Sequence, residues 1–173
     1  SRGQDGTPFM RSPGKVVETL NMLILNEMET EHYLTILLAK IDLRSGNITM
    51  TQAGHPHPAH QTPSGKVRFH GDGGFPVGLI PDANFSDFEL EMRAGDRLFL
   101  GSDGITECAN AAGHMLEEEG LQKILQQNAS LSGERFFDML MWDLNAFNGD
   151  ADFEDDVSGV LVEFHGRTDR RQT

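Results

Sequence analysis

Residues 97–107 read Arg-Leu-Phe-Leu-Gly-Ser-Asp-Gly-Ile-Thr-Glu, and the rest of the predicted fold is organised around this stretch. The apolar run Leu98–Leu100 lies between the turn signal Ala94–Asp96 and the break at Gly101, a pattern typical of a buried strand. The strand leads to Asp103-Gly104, where the chain must turn. A carboxylate followed by glycine can present oxygen to a hard cation, because glycine permits unusual backbone angles and close approach. The same dipeptide is also a common turn, so this segment alone leaves both interpretations open.

A second acidic site lies near the end of the sequence, where Asp155-Asp156 precedes the apolar run Val160–Val162. Two strand-adjacent acidic sites far apart in sequence can converge on one metal cluster, and the pairing favours cation binding over a simple turn. The acidic run that begins at Asp150 also bears comparison with a calcium-binding EF-hand loop. It has Asp155 where glycine is required and Leu161 where glutamate is required, so it does not fit that pattern.

Composition limits the class of protein. A chain of 173 residues is most simply one domain with a sizeable core. The formal charge of −13 argues against nucleic-acid or anionic-membrane partners and suits divalent cations or a basic partner. The single cysteine, Cys108, excludes an intrachain disulfide framework and a cysteine-rich zinc site. No apolar run approaches the roughly 20 residues of a membrane span and no signal peptide is visible, so we predict a cytoplasmic protein.

The hydrophobic pattern predicts an α+β chain with helices packed on a sheet. Apolar residues at helical spacing predict helices over residues 13–30, over 117–128 and from Ser132 onward. Alternating or continuous apolar runs predict strands within residues 32–43, 48–52, 66–70, 85–92, 98–100 and 157–164. The first two strands flank the turn at residues 44–47 and should form a β-hairpin. We expect residues 1–12 to be a flexible start, 13–165 to be the domain and 166–173 to be a polar tail.

Two loop segments carry residues that suggest ligands. His55, His57 and His60 have the spacing H-x-H-x-x-H, which invites a zinc site. Two prolines lie between these histidines and no aspartate is adjacent, so we predict that they do not bind zinc together and that residues 53–60 form a rigid turn. The glycine-rich segment 71–78 lacks the Lys-Ser/Thr of a phosphate-binding loop and precedes no helix, so nucleotide binding is not expected.

Five short motifs occur in the order and spacing of a known family over roughly residues 12–164. They are Ala53-Gly-His-Pro56, Phe75-Pro-Val-Gly-Leu79, Ala94-Gly-Asp-Arg97, Gly101-Ser-Asp-Gly-Ile-Thr-Glu107 and Asp155-Asp-Val-Ser158. With these motifs the chain resembles the metal-dependent protein phosphatases, specifically the bacterial sporulation-protein-E type of the type 2C fold. The resemblance implies a β-sandwich of mostly antiparallel strands flanked by helices, with two Mn²⁺ or Mg²⁺ ions at one end of the sheets.

The same resemblance implies the site residues. Asp103 and Asp155 match catalytic metal ligands of the family, Gly104 belongs to the same metal-binding motif, and the role of Asp156 is left open. In family members the metals hold a water or hydroxide that attacks the phosphorus of phosphoserine or phosphothreonine. This chemistry is sensible, because hard cations prefer oxygen ligands and neutralise charge on a transferring phosphoryl group. Ser102 lacks the flanking pattern of a nucleophile elbow, so we expect it to be structural.

One departure from the family is visible. Its first Asp-Gly motif should precede the first helix, and Asp5-Gly6, the only upstream candidate, follows no apolar strand. The chain therefore resembles the larger, C-terminal part of a phosphatase domain.

The leading interpretation is a serine/threonine phosphoprotein phosphatase that follows an N-terminal receiver or sensor domain. Its substrate would be a regulator such as an anti-sigma-factor antagonist. The alternative is a catalytically inactive, phosphatase-like adaptor that binds a sigma-factor-pathway regulator. A simple cation-binding module is a third interpretation, supported only by the acidic run.

Overall fold

A computed structural model of the protein describes residues 11–27 and 33–166. In chain order, the elements of these residues are α1 (Pro13–Glu27), β1 (Ile36–Ile41), β2 (Asn47–Ala53), β3 (Ala59–Gln61), β4 (Val67–Phe69), β5 (Asp87–Glu91), β6 (Arg97–Gly101), α2 (Asp103–Thr106), α3 (Glu117–Gln127), α4 (Gly133–Asn148) and β7 (Gly159–Glu163). The predicted end of the first helix, at residues 28–30, lies outside the described residues.

The chain divides into two compact units, each with one antiparallel sheet. The first unit contains α1 and the sheet β1-β2-β5, and the second contains the sheet β4-β3-β6-β7 with α2, α3 and α4. This arrangement confirms the predicted α+β class, with antiparallel sheets and flanking helices. Among the described residues, no helix is long and apolar enough to cross a bilayer.

In the first unit, the predicted β-hairpin is confirmed. Ile41 pairs with Ile48 across the turn, and Gly46 adopts a positive φ of 80° there. The apolar face of α1 packs on this unit through buried Val17 and Ile24. Asn21 of α1 is also buried, and its amide satisfies two backbone groups, the carbonyl of Ile80 and the N–H of Gly78.

In the second unit, β6 is the buried strand that the sequence predicts. It pairs with β3 on one side and with β7 on the other, and Leu98 and Phe99 are 0% and 2% exposed. Phe99 belongs to a core that also contains Leu125 of α3 and Phe136 and Leu140 of α4. The stripe of apolar residues predicted on α4 is therefore core, whereas Trp142 is 65% exposed.

The prediction of a rigid turn over residues 53–60 is wrong at both ends. Ala53 is the last residue of β2, residues 54–58 are irregular apart from a bridge at Gly54, and His60 lies in the middle of β3. This short strand has no apolar run of its own. It forms because it pairs with β4 and β6 and because the Gln61 side chain donates a hydrogen bond to the Leu125 carbonyl of α3 at 2.7 Å.

Two further differences lie beside β6. Asp103-Gly104 begins the four-residue helix α2 rather than a simple turn, since Ile105 is fully buried and the Glu107 N–H donates to the Asp103 carbonyl. β7 is Gly159–Glu163, shorter than the predicted 157–164, and Ser158 just before it is hydrogen-bonded to the Ser102 side chain.

Candidate active site

The ends of β6 and β7 bring the two predicted acidic segments together. The antiparallel register pairs Gly101 with Gly159, so the residues that follow β6 lie beside those that precede β7. The Ser102 N–H donates to the Ser158 carbonyl at 3.0 Å and extends the ladder by one step. Asp103, at the start of α2, and the Asp155-Asp156 pair, in the loop before β7, are more than 50 positions apart in sequence but thus lie in neighbouring segments.

The hydroxyl of Ser102 fixes the Asp155 loop against the start of α2. Its Oγ donates to the Asp156 carbonyl at 2.8 Å and accepts a hydrogen bond from the Ser158 N–H at 3.0 Å. The side chain therefore satisfies two backbone groups of a loop that has no regular structure. This is the structural role expected for Ser102.

Gly104 lies so close to the same loop that no side chain fits. A Cβ atom at this position would lie 2.6 Å from the Asp156 carbonyl oxygen and 3.2 Å from that of Asp155. Both neighbours are backbone atoms, which cannot move aside as a flexible side chain would. In this chain, position 104 therefore requires glycine.

The Asp103 and Asp155 side chains are both exposed at this edge. Asp103 Oδ1 accepts a hydrogen bond from the Gly104 N–H at 3.2 Å, and Asp155 Oδ1 accepts one from the Asp156 N–H at 2.7 Å. Neither carboxylate forms an ion pair with another described residue. Among the described residues, no positive charge compensates these two negative charges, so they are available to a cation.

Asp103, Gly104 and Asp155 provide the type of ligand that a divalent metal prefers, but they are too few to complete a metal site. Asp103, Asp155 and the backbone of Gly104 offer only oxygen, the donor that Mg²⁺ and Mn²⁺ prefer. Among the described residues, no group of three or more His, Cys, Asp or Glu side chains is arranged to hold a metal ion. Metal binding by Asp103, Gly104 and Asp155 stays a prediction, and further oxygen ligands would have to complete the site.

A cleft of about 500 Å³ adjoins the start of α2 and the Asp155 loop, and Gly104 and Asp155 both line it. One wall is the hairpin from Cys108 to Leu116, closed by a hydrogen bond from the Leu116 N–H to the Cys108 carbonyl at 2.8 Å. The opposite wall is the loop that follows α4. Burial raises the pKa of the Cys108 thiol, so at neutral pH this side chain is a poor nucleophile.

Two histidines of the predicted turn, His57 and His60, have separate carboxylate partners in the second unit. His57 Nδ1 lies 2.7 Å from Glu118 Oε1, and His60 Nε2 lies 3.0 Å from the buried Asp96 Oδ2. The absence of a shared zinc ion stays a prediction. The His60–Asp96 pair was not foreseen, because it joins residues 36 positions apart on different elements.

His70 lies next to the His60–Asp96 pair, with the two imidazole centroids 5.7 Å apart. Burial lowers the pKa of His70, and electrostatic repulsion from His60 and Arg68 lowers it further. Asp96 Oδ2 also accepts a hydrogen bond from the Arg93 N–H at 2.8 Å, so this group fixes the turn that leads into β6.

The chain has the fold of PP2C-type phosphatase domains. It superimposes on the SiaA-PP2C domain of Pseudomonas aeruginosa with a TM-score of 0.79 and 15% identity, covering 89% of this chain and 61% of that one. It superimposes on the PP2C domain of SpoIIE from Bacillus subtilis, solved with a fragment of the regulatory domain. That match has a TM-score of 0.71 and 22% identity and covers 90% of this chain and 45% of that one.

Residues 4–165 match the family model of stage II sporulation protein E, and the chain belongs to this family. It is also 24% identical over 123 residues to the phosphoserine phosphatase RsbU of Bacillus subtilis strain 168, which covers 70% of this chain. The chain spans 36% of the length of that relative. The resemblance inferred from the five motifs is thereby confirmed at the level of the family and its fold.

Proposed function

We propose that this chain is the catalytic part of a Mn²⁺- or Mg²⁺-dependent serine/threonine phosphoprotein phosphatase of a bacterial signalling protein. The observation that carries the proposal is the junction of β6 and β7. There the Ser102 hydrogen bonds and the close approach at Gly104 keep the start of α2, with Asp103, next to the Asp155 loop. Membership of the stage II sporulation protein E family and the likeness to a phosphoserine phosphatase support the same chemistry.

Asp103, Asp155 and the backbone of Gly104 would hold the metal ions. A SpoIIE phosphatase domain was solved after presoaking with manganese, and RsbX was solved in complex with magnesium, which supports the choice of ion. A bound divalent ion would supply Lewis-acid chemistry and offset the charge of the phosphoryl group. The chain itself contributes negative charge at two fixed places, through Asp103 and Asp155, and Ser102 keeps those places adjacent. No protein nucleophile is required.

The substrate and partner are inferred from family membership. We propose a phosphoserine or phosphothreonine on a regulator of a sigma-factor pathway, such as an anti-sigma-factor antagonist, in the cytoplasm. An N-terminal receiver or sensor domain would supply the regulatory input. The acidic chain, with 27 Asp and Glu against 14 Lys and Arg, suits neither a nucleic acid nor an anionic membrane as partner.

The test is the substitution Asp103→Asn in the full-length protein. Asparagine keeps the size and one oxygen but removes the charge that would attract the cations. Phosphate release from a phosphoserine protein during a Mn²⁺ titration should fall by at least about 100-fold. Asp138→Asn is the matched control, because it makes the same chemical change at an exposed position of α4 outside the site, and it should retain activity.

The adaptor remains the second candidate, because the described residues contain no group of three side chains arranged to hold a metal. The adaptor interpretation predicts a different outcome for the Mn²⁺ titration of phosphate release. A full-length protein that is inactive at every metal concentration, yet still binds its regulator, would establish the adaptor and reject the enzyme.

A further inference from the structure

The cleft beside the candidate active site is lined by acidic side chains. Glu107, at the end of α2, forms part of one wall, and Asp152 and Glu154 form part of the other, with Asp155 shared with the candidate metal site. All four residues are exposed, and none forms an ion pair with another described residue. Among the described residues that line the cleft, none is lysine, arginine or histidine. The described lining therefore gives the cleft a negative potential.

A second observation points to a hydrogen-bond donor as the ligand. Asn148, the last residue of α4, lines the cleft and is only 6% exposed. Its Nδ2 donates to the Ala151 carbonyl at 2.8 Å, whereas its buried Oδ1 accepts no hydrogen bond from any described residue. An unpaired buried acceptor is unfavourable, so a hydrogen-bond donor that reaches Asn148 from the cleft would be stabilised there.

The cleft also offers apolar surface. Met115, on the hairpin wall, is 54% exposed, and Phe153 lies on the opposite wall. Lysine and arginine side chains combine a long apolar stem with a charged group that only donates hydrogen bonds. Such a side chain matches the acidic rim, the unpaired acceptor and the apolar surface together.

We propose that this cleft binds a lysine or arginine side chain of the phosphoprotein substrate, close in sequence to its phosphorylated serine. This inference rests on the proposed phosphatase function. Gly104 and Asp155 line the cleft and belong to the candidate active site, so the two sites are contiguous. Because an extended chain advances about 3.3–3.6 Å per residue, contiguous sites require the basic residue to lie close in sequence to the phosphoserine.

The experiment uses the full-length protein with Mn²⁺ and two phosphoserine peptides that differ only in having lysine or norleucine near the phosphoserine. The unaltered protein should hydrolyse the lysine peptide with a kcat/KM about three- to tenfold higher. The double variant Glu107→Gln/Asp152→Asn should reduce this ratio to about one, and Glu107→Gln alone should reduce it partially. Glu134→Gln, an exposed position of α4 outside the cleft, removes one charge as a control and should keep the ratio.

Several outcomes would overturn the proposal. The first is an equal kcat/KM for the two peptides, and the second is an unchanged ratio in the double variant. The third is a lysine preference that is lost as the Mn²⁺ concentration rises, because that result would make the cleft a metal site. Failure of the proposed function is recognised separately, since the unaltered protein would then not hydrolyse p-nitrophenyl phosphate. In that case the affinities of the two peptides are compared, and tighter binding of the lysine peptide would still support the cleft.

Discussion

At Gly104, the lack of a side chain lets the start of α2 pack closely on the Asp155 loop, and this packing positions the candidate site. Its φ is not in the left-handed region, so the backbone there would tolerate alanine. Only the proximity of the Asp155 and Asp156 carbonyls excludes a Cβ atom. Gly65, in the β3–β4 turn, is the opposite case: its φ is 82°, and no other atom lies within 4 Å of the position that a Cβ atom would take.

These two glycines give a matched pair of substitutions. Gly104→Ala should push the Asp155 loop away from Asp103 and lower the free energy of unfolding by about 1–3 kcal/mol. Gly65→Ala should lower it by a similar amount, about 1–2 kcal/mol, through backbone strain alone. Urea unfolding measures both effects, and phosphate release separates them, because only Gly104→Ala should lose activity. An active Gly104→Ala enzyme would mean that the contact between the two loops does not position the site.

At the scale of elements, Arg97 of β6 joins three neighbours of the central strand. Its Nη1 donates to the Ala129 carbonyl at 3.0 Å, just beyond the C-terminal end of α3, where the last turn has no basic residue. The guanidinium carbon lies 4.7 Å from the ring centroid of Phe136 on α4, and Nε lies 3.7 Å from Glu163 Oε1 on β7. Burial lowers the pKa of Arg97 and the Glu163 carboxylate opposes this shift, but a guanidinium remains charged at neutral pH.

We therefore expect Arg97→Met to destabilise the second unit. The substitution keeps the apolar stem but leaves carbonyls after α3 and the Glu163 carboxylate without their partner, at a cost of about 2–3 kcal/mol. Arg68→Met is the control, since Arg68 is exposed on β4, and surface substitutions usually change stability by less than about 0.5 kcal/mol. Equal urea midpoints for the two variants would contradict the linking role of Arg97.

At the scale of the whole molecule, the net charge of −13 makes stability sensitive to cations. If Asp103 and Asp155 bind Mn²⁺ in the folded state only, the metal stabilises by mass action, by about 2.7 kcal/mol at 100 times the dissociation constant. For a protein of this size, such a gain raises Tm by about 5–10 °C. The comparison is made at constant ionic strength, because general screening of acidic repulsion also stabilises.

The same melts distinguish a specific site from general screening. Asp103→Asn should abolish most of the Mn²⁺-dependent rise in Tm, and it should slightly raise Tm without metal because one repulsive carboxylate is gone. Asp138→Asn should keep the full rise. Identical rises in both variants would show that Mn²⁺ acts on the overall charge and not at the Asp103 site.

The sequence by itself determined most elements of this protein and the family to which it belongs. The β1–β2 hairpin and α4 each have a periodic apolar pattern, and β6 has a continuous apolar run. Both kinds of pattern depend only on residues close together in the chain. The acidic segments around Asp103 and Asp155 were visible for the same reason, as short motifs beside apolar runs.

Only the tertiary structure decided how these pieces meet. β3 has no apolar pattern and exists through its pairing with β4 and β6, while α2 depends on the burial of Ile105. The contact of Gly104 with the Asp155 loop likewise joins residues about 50 positions apart. Local sequence patterns indicate which face of a strand or helix is buried, but they do not indicate which element packs against that face. That choice is made by packing and by satisfying backbone groups across the sheet.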